Sequence, residues 1–315
     1  MRERSLVLTL AAASSLLVTT AAVAAVGWQV ERTYALPGNE SKYEGIGYHE
    51  PDGTFYVSET TGGEIHRGNV DGGAATQWLP AGGDGRNTAR GIDTDVQGRV
   101  YIAGGSNRVG NPALPNIWVY SPTGTLLAAL APDVPNANIN DVWVAPDGAA
   151  YLTDSTNPFI YRVKQSGEVW TVTKWLDATG VIPTVAGFNL NGIVATANGR
   201  YLIVAHTALG TLWRVDIPTR AVQQIDLGGA TVTGADGIAL RGLTLWVVRN
   251  FPRTVATVKL AGDAASGRVV RDTPTDPDRV FTTAKVARDR LLLIDSKFDE
   301  AVSAPPYEVV SARLP

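Results

Sequence analysis

The stretch Glu44–Thr60, EGIGYHEPDGTFYVSET, decides the fold, because its phrase returns five more times along the chain. A polar residue, usually followed by glycine, opens a short apolar strand. A tight turn then leads into a second strand rich in Tyr, Leu, Ile and Val. The copies are RGIDTDVQGRVYIAGG from Arg90, DVWVAPDGAAYLTDS from Asp141, NGIVATANGRYLIVAH from Asn191, DGIALRGLTLWVVRN from Asp236 and a weaker TAKVARDRLLLIDS from Thr283. Successive starts lie 45–51 residues apart. Each unit continues into a third strand, as in Ile65-His66-Arg67 or Asn116 to Tyr120, and a more variable fourth, as in Ala75 to Leu79 or Val222 to Leu227.

Four short antiparallel strands per unit are the blade of a β-propeller, and six units predict an all-β, six-bladed ring. Asp52-Gly53, Asp147-Gly148 and Asn198-Gly199 supply the positive φ that two-residue hairpin turns demand. The sixth unit lacks a clear fourth strand after Tyr307 to Ser311, whereas Trp28 to Leu36 (WQVERTYAL) is strand-like and precedes the first unit. This N-terminal segment is therefore expected to complete the last blade and close the ring. Trp118, Trp143, Trp213 and Trp246 recur at strand positions and read as packing between blades.

Outward from the repeats, residues 1–24 have the order of a secretory signal: Arg2 and Arg4, an apolar run from Ser5 to Val18, and small residues ending Ala22-Val23-Ala24. Cleavage after Ala24 is expected, with residues 25–315 forming one propeller domain that is secreted and not held at a membrane. A retained N-terminal anchor is the other reading of the same stretch. The 315 residues contain no cysteine, which excludes disulfides, thiolate chemistry and Cys-bound zinc. With 27 Lys+Arg against 30 Asp+Glu, the net charge of -3 gives no basic field for nucleic acid. A closed ring leaves no long strand edge for pairing, so a monomer is expected.

In a propeller the innermost strands line a central channel, so the residues opening the repeats face one space. Aligned by their phrases, these are Glu44, Arg90, Asp141, Asn191, Asp236 and Thr283. Three carboxylates and an amide brought together need neutralisation, because a buried carboxylate without a partner is costly. Two solutions remain open from the residues themselves. One is a divalent cation bound by hard oxygens, calcium first, with magnesium, manganese or zinc by exchange. The other is a salt bridge from Arg90 to one of the acids, with ordered water filling the channel.

The phrases Tyr43-Glu44-Gly45-Ile46, Asn140-Asp141, Leu190-Asn191-Gly192-Ile193 and Ala235-Asp236-Gly237-Ile238 resemble, in order and spacing, those of the gluconolactonase/regucalcin (senescence-marker-protein/gluconolactonase-like) family of six-bladed propellers. The resemblance covers nearly the whole chain after the leader. It implies one divalent metal at the top of the channel, on the positions of Glu44, Asn191 and Asp236. It also implies a substrate-facing asparagine at Asn140. The chain departs from the sugar-lactone members at Asn138, where some carry a substrate-holding arginine, and this puts a gluconate-type lactone in doubt.

The expected function is a metal-dependent hydrolase of the lactone or ester class with a small-molecule substrate. Asp236, or failing it Asp141, would take the proton, with Asn140, Arg90 and Asn138 near the substrate. Substrate choice is expected from the loops Asp84–Thr88, Asn107–Asn116 and Pro183–Asn189. The alternative is a non-catalytic propeller binding a small molecule, glycan or protein, with a structural metal. A synthase of the strictosidine type is a third reading, against which the Glu/Asn/Asp set argues. No Gly-x-Ser-x-Gly, His-Glu-x-x-His or Walker sequence is present.

Overall fold

The computed structural model describes residues 28–314, and the expected signal segment and its cleavage site lie outside the described residues. The fold is a ring of six four-stranded antiparallel blades. Blade one is β2 (Tyr43–His49), β3 (Thr54–Glu59), β4 (Ile65–Asn69) and β5 (Thr76–Leu79). Blade two is β6 (Ile92–Thr94), β7 (Val100–Ala103), β8 (Ile117–Tyr120) and β9 (Leu126–Leu130). Blade three is β10 (Ile139–Val144), β11 (Ala150–Asp154), β12 (Phe159–Ser166) and β13 (Val169–Asp177). Blade four is β14 (Leu190–Ala195), β15 (Tyr201–His206), β16 (Thr211–Asp216) and β17 (Val222–Gln224). Blade five is β18 (Ala235–Arg241), β19 (Thr244–Arg249), β20 (Thr254–Leu260) and β21 (Gly267–Pro274). Blade six takes β22 (Phe281–Ala287), β23 (Arg290–Asp295) and β24 (Glu308–Arg313) from the C-terminal end and β1 (Val30–Ala35) from the other. Among the described residues there is no helix, and so none long and apolar enough to cross a membrane.

The first strand of each blade is innermost, and β2, β6, β10, β14, β18 and β22 touch in cyclic order around the channel. The second strands are sandwiched between neighbouring blades on both faces, so they are almost wholly buried and apolar through their middle, as in β7 and β11, with polar residues such as Thr153 and Asp154 confined to the end beside the bulge. The outermost strands β13 and β21 meet water on one side and alternate in exposure. Asp-Gly and Asn-Gly turns join the first two strands of blades one, three and four, with φ of 73° at Gly53, 78° at Gly148 and 66° at Gly199.

The apolar residues collect into six clusters, one in each wedge between adjacent blades. Trp118 fills the wedge between blades one and two, Trp143 and Trp213 that between three and four, and Trp246 that between five and six. The tryptophans are packing residues, as the sequence reading expects. Since every wedge needs both of its blades, an unclosed ring would leave one wedge open to water.

The wedge between blades six and one is closed by β1. It pairs antiparallel with β24, Tyr34 opposite Val309 and Ala35 opposite Glu308. Tyr34 and Leu36 enter the core beside Phe55, Val57 and Ile294. The Tyr34 hydroxyl donates to the carbonyl of Val70 at 2.8 Å, and Ala75 N–H donates to the carbonyl of Ala35 at 2.8 Å. The same strand thus completes blade six and fastens it to blade one. Truncating a buried aromatic costs about 3–5 kcal/mol, so Tyr34→Ala is expected to lower the melting temperature by on the order of 10 °C. Deleting residues 28–36 should lower it further, both in one cooperative transition followed by circular dichroism. An unchanged melting temperature after the deletion would show that the ring closes elsewhere.

Candidate functional site

At the upper end of five inner strands the pairing skips a residue at the same place: between Tyr43 and Ile46, Ile139 and Val142, Leu190 and Ile193, Ala235 and Ile238, and Phe281 and Ala284. Two inner residues there oppose one on the second strand, which is a β-bulge. Arg90 and Gly91 form the same unit in blade two, where Arg90 N–H and the Gly91 carbonyl both bond Ala103. In blades one to five the bulge turns its first side chain toward a cavity at the channel mouth. The first residues of the six bulges are Glu44, Arg90, Asn140, Asn191, Asp236 and Thr282.

This corrects the sequence alignment in two blades. The first bulge residue of blade three is Asn140, not Asp141, and that of blade six is Thr282, not Thr283; of these two, Asn140 lines the cavity and Thr282 is buried against blade one. Matching by the shared Asp missed the slip because the second bulge residue is glycine in the other four blades. Those glycines do not have positive φ; they sit where a neighbouring backbone leaves no room. A Cβ on Gly192 would lie 2.5 Å from the carbonyl oxygen of Asp236, and one on Gly91 would meet the backbone of Asn140 and Asp141. Asp141 fills its own position by bonding across the gap. Its carboxylate accepts Val142 N–H at 2.8 Å and Ile193 N–H, in blade four, at 3.1 Å.

Hydroxyls opposite the bulges, and that of Thr282 within one, add to this inter-blade bonding. Thr153 Oγ1 accepts Asp141 N–H at 3.2 Å and donates to the Asn191 carbonyl at 2.7 Å. Ser58 does the same between Gly45 N–H and the Arg90 carbonyl. Thr282 Oγ1 donates to the Glu44 carbonyl at 2.9 Å. The bulges that aim the side chains are thus tied to the next blade.

Glu44, Arg90, Asn140, Asn191 and Asp236 line one cavity of about 580 Å³ at the channel mouth. Asp141 and Asn138 do not line it. The Asn138 N–H instead donates to Asp154 at 3.1 Å. Asp236 is held by Asn250, whose Nδ2 donates to its Oδ2 at 2.9 Å, and Asn191 by Thr207, whose Oγ1 accepts its Nδ2 at 3.0 Å. Glu44 Oε2, Arg90 Nε and both amide atoms of Asn140 are buried without a hydrogen-bond partner. Arg90 forms no ion pair within 4.0 Å among the described residues; its guanidinium stacks 5.2 Å from the ring centre of Phe188. One step down the inner strands, Lys285 of blade six reaches Asp93 of blade two at 3.0 Å, an ion pair across the channel under the cavity floor.

Burial dominates the electrostatics. It pushes Glu44 well above the usual carboxylate range, opposed by Arg90 and reinforced by Asp236 and Asp141. Burial pushes Asp236 up to about 7, against the pull of the Asn191 amide and then of Arg90. Asp141 rises to about 6 by burial, opposed by Lys285 and the two backbone N–H groups. The uncompensated carboxylates, with the unpartnered oxygens of Glu44 and Asn140, fit a hard divalent cation. Among the described residues no three His, Cys, Asp or Glu side chains form a cluster of their own. The donors here are two carboxylates and two amides.

Of the three expected specificity loops, only Phe188 reaches the cavity. The other two loops are stapled by their own polar residues. Asn107 bonds the carbonyls of Gly85 and Pro115, Arg86 those of Gly63 and Pro80, and Arg108 those of Pro112 and Pro132. The mouth is formed instead by residues directly following second strands, among them Thr207, Asn250, Phe251 and Phe298. The repeats did carry a signal for the two supporting residues. Thr207 and Asn250 occupy a column that also holds Thr60, Ser155 and Ser296.

A family model described as the SMP-30/Gluconolactonase/LRE-like region matches residues 43–261, well over half of the chain. No curated protein sequence matches it. Among solved structures, the calcium-binding protein regucalcin from Agrobacterium tumefaciens strain C58 is similar at 17% identity and TM-score 0.61, over 90% of this chain and 95% of that one. A gluconolactonase from Xanthomonas campestris is similar at 17% identity and TM-score 0.60, over 90% of each chain. The Malassezia sympodialis major allergen Mala s 1 is similar at 15% identity and TM-score 0.67, over 89% of this chain and 95% of that one. At these identities the likeness is one of fold.

The raised carboxylates set a pH dependence. Their protons bind the folded chain more tightly than the unfolded one, whose carboxyl groups ionise near pH 4. Their contribution to stability is therefore full below about pH 4 and is lost as pH rises through about 7. The melting temperature of chelated protein should fall across that window, and Asp236→Asn should flatten the fall. A steeper fall in the variant would show that Asp236 is not a source of it.

Proposed function

We propose that this chain, which belongs to the SMP-30/gluconolactonase/LRE-like family, is a divalent-metal-dependent hydrolase of lactones or related esters. The observation that carries the reading is the gathering of Glu44, Asn140, Asn191, Asp236 and Arg90 into one cavity with buried oxygens of Glu44 and Asn140 left unpartnered. Glu44, Asn191 and Asp236 would hold the cation, with Asn140 beside them. When bound, the cation supplies Lewis-acid polarisation of the substrate carbonyl. Calcium suits the all-oxygen donor set, with magnesium, manganese or zinc by exchange, and the similar regucalcin is described as calcium-binding.

The chain's own residues supply the rest. Asp236, oriented by Asn250, takes a proton from the attacking water and returns it to the leaving oxygen as the acyl C–O bond breaks. Water thus provides hydroxyl to the acyl carbon and hydrogen to the leaving group. Arg90, free of carboxylate partners, faces the developing oxyanion and then the product carboxylate. Asn140 offers both a donor and an acceptor to orient the ester. Asp141, engaged with two backbone N–H groups outside the cavity, is poorly placed as the base and acts on the site through its charge.

Calorimetric titration of chelated protein with calcium, followed by a lactone and ester panel, tests the reading. Asp236→Asn should weaken calcium binding at least tenfold and lower kcat by on the order of 10³-fold, with the melting curve still cooperative. No binding at millimolar calcium, magnesium, manganese or zinc would sink the metal site. Metal binding without turnover of any panel member would leave a non-catalytic binding propeller. In this reading the protein acts after export as a monomer. Intact mass of secreted protein should begin at Ala25, and light scattering should give a single-chain mass.

A further inference from the structure

The cavity changes character with height. Its floor is charged and amide-bearing, whereas its walls and rim are apolar. Phe188 comes from the loop before β14, Phe251 from the segment after β19 and Phe298 from that after β23, so three blades each contribute a ring. Phe188 is 44% and Phe251 59% exposed. Large aromatic side chains left in water around a concave site mark a surface that an apolar ligand covers.

Hydrogen-bonding capacity on the walls is low. Ala208, Gly234 and Pro252 bring no polar side chain, the Thr207 hydroxyl already accepts from Asn191, and the Thr233 hydroxyl donates to Thr231 at 3.4 Å. Asp236 Oδ2 already accepts from Asn250. The unpartnered polar atoms all lie on the floor, at Glu44, Arg90 and Asn140, where the reacting ester must sit. A substrate bearing several hydroxyls would leave water without replacement partners for them, and sites of this kind discriminate strongly on such groups. An alkyl or aryl group would bury itself against the three rings.

We infer that the cavity takes a lactone or ester whose non-reacting part is an apolar alkyl or aryl group, gripped by Phe188, Phe251 and Phe298, and not a polyhydroxylated sugar lactone. This rests on the hydrolase reading above for the reacting end, and adds the identity of the other end. The volume of about 580 Å³ accommodates a ring of five or six atoms with a medium-length chain. Phe188 also covers the Arg90 guanidinium, so an apolar group seated on that ring would keep water from the charge beneath it.

The test compares calcium-loaded protein on three probes: γ-nonalactone, which carries a five-carbon tail, γ-butyrolactone, which has none, and glucono-δ-lactone. The expected kcat/KM for γ-nonalactone exceeds that for γ-butyrolactone at least tenfold and that for glucono-δ-lactone about a hundredfold. In the double variant Phe188→Ala, Phe251→Ala the ratio of nonalactone to butyrolactone should fall about tenfold. Both side chains are exposed, so the variant is expected to fold, and circular dichroism verifies it. A preference for glucono-δ-lactone, or a ratio that the variant does not move, would overturn the inference while leaving a hydrolase. If none of the three is hydrolysed, calorimetry with the non-hydrolysable lactam 5-pentylpyrrolidin-2-one separates the two claims. Binding lost in the double variant upholds the apolar pocket without the hydrolase, and no binding to the native protein overturns the pocket.

Discussion

Six inner strands can meet around one axis only if their backbones approach closely at the narrow end, and that approach governs the rest of the structure. It requires glycine at the second bulge position of blades one, two, four and five, where any Cβ would strike the next strand. It also puts the first bulge residue of blades one to five into a common space. Packing and site are therefore one feature: the steric demand that empties one position of side chains turns the neighbouring position inward. Blade three shows the exchange most clearly. Its bulge carries Asp141 in place of glycine, and the carboxylate bonds Ile193 N–H in the adjoining blade.

Gathering the side chains this way has an electrostatic cost that the fold only partly offsets. Arg90 lowers the ionisation penalty of Glu44 and Asp236 without pairing with either, and amides from Asn191 and Asn250 stabilise Asp236. Glu44 retains an oxygen with no partner. A structural salt bridge from Arg90, one of the two readings open from the residues alone, is not formed among the described residues. The residual imbalance is what a cation would relieve, and it arises from backbone geometry in several blades. It does not depend on one loop.

The periodic part of this molecule was legible in its sequence for a physical reason. Second strands buried on both faces are apolar through their middle, and four of the six inner-strand bulges end in glycine, so blade number and order leave marks in composition. Glu44, Arg90, Asn191 and Asp236 were readable because each precedes such a glycine. The slip from Asp141 to Asn140 was not, since it depends on a register that two residues share. Nor were Phe188, Phe251 and Phe298, which follow no period. Loops rich in Gly, Asn and Arg drew attention as specificity elements, yet Arg86 and Arg108 are buried there as internal staples, a role that only three-dimensional contacts reveal.

The union of β1 with β24 also constrains how the molecule comes into being. The partner of Tyr34 is Val309, so during synthesis β1 lacks its strand partner until nearly all of the remaining chain has followed. Until then one wedge stays exposed and β1 has a free edge. Blades one to five can form in order as they emerge, each on its predecessor, whereas closure is a single late event of very high sequence separation. A chain halted partway through synthesis would therefore be an open arc with two sticky ends, and two such arcs could join each other in place of their own termini.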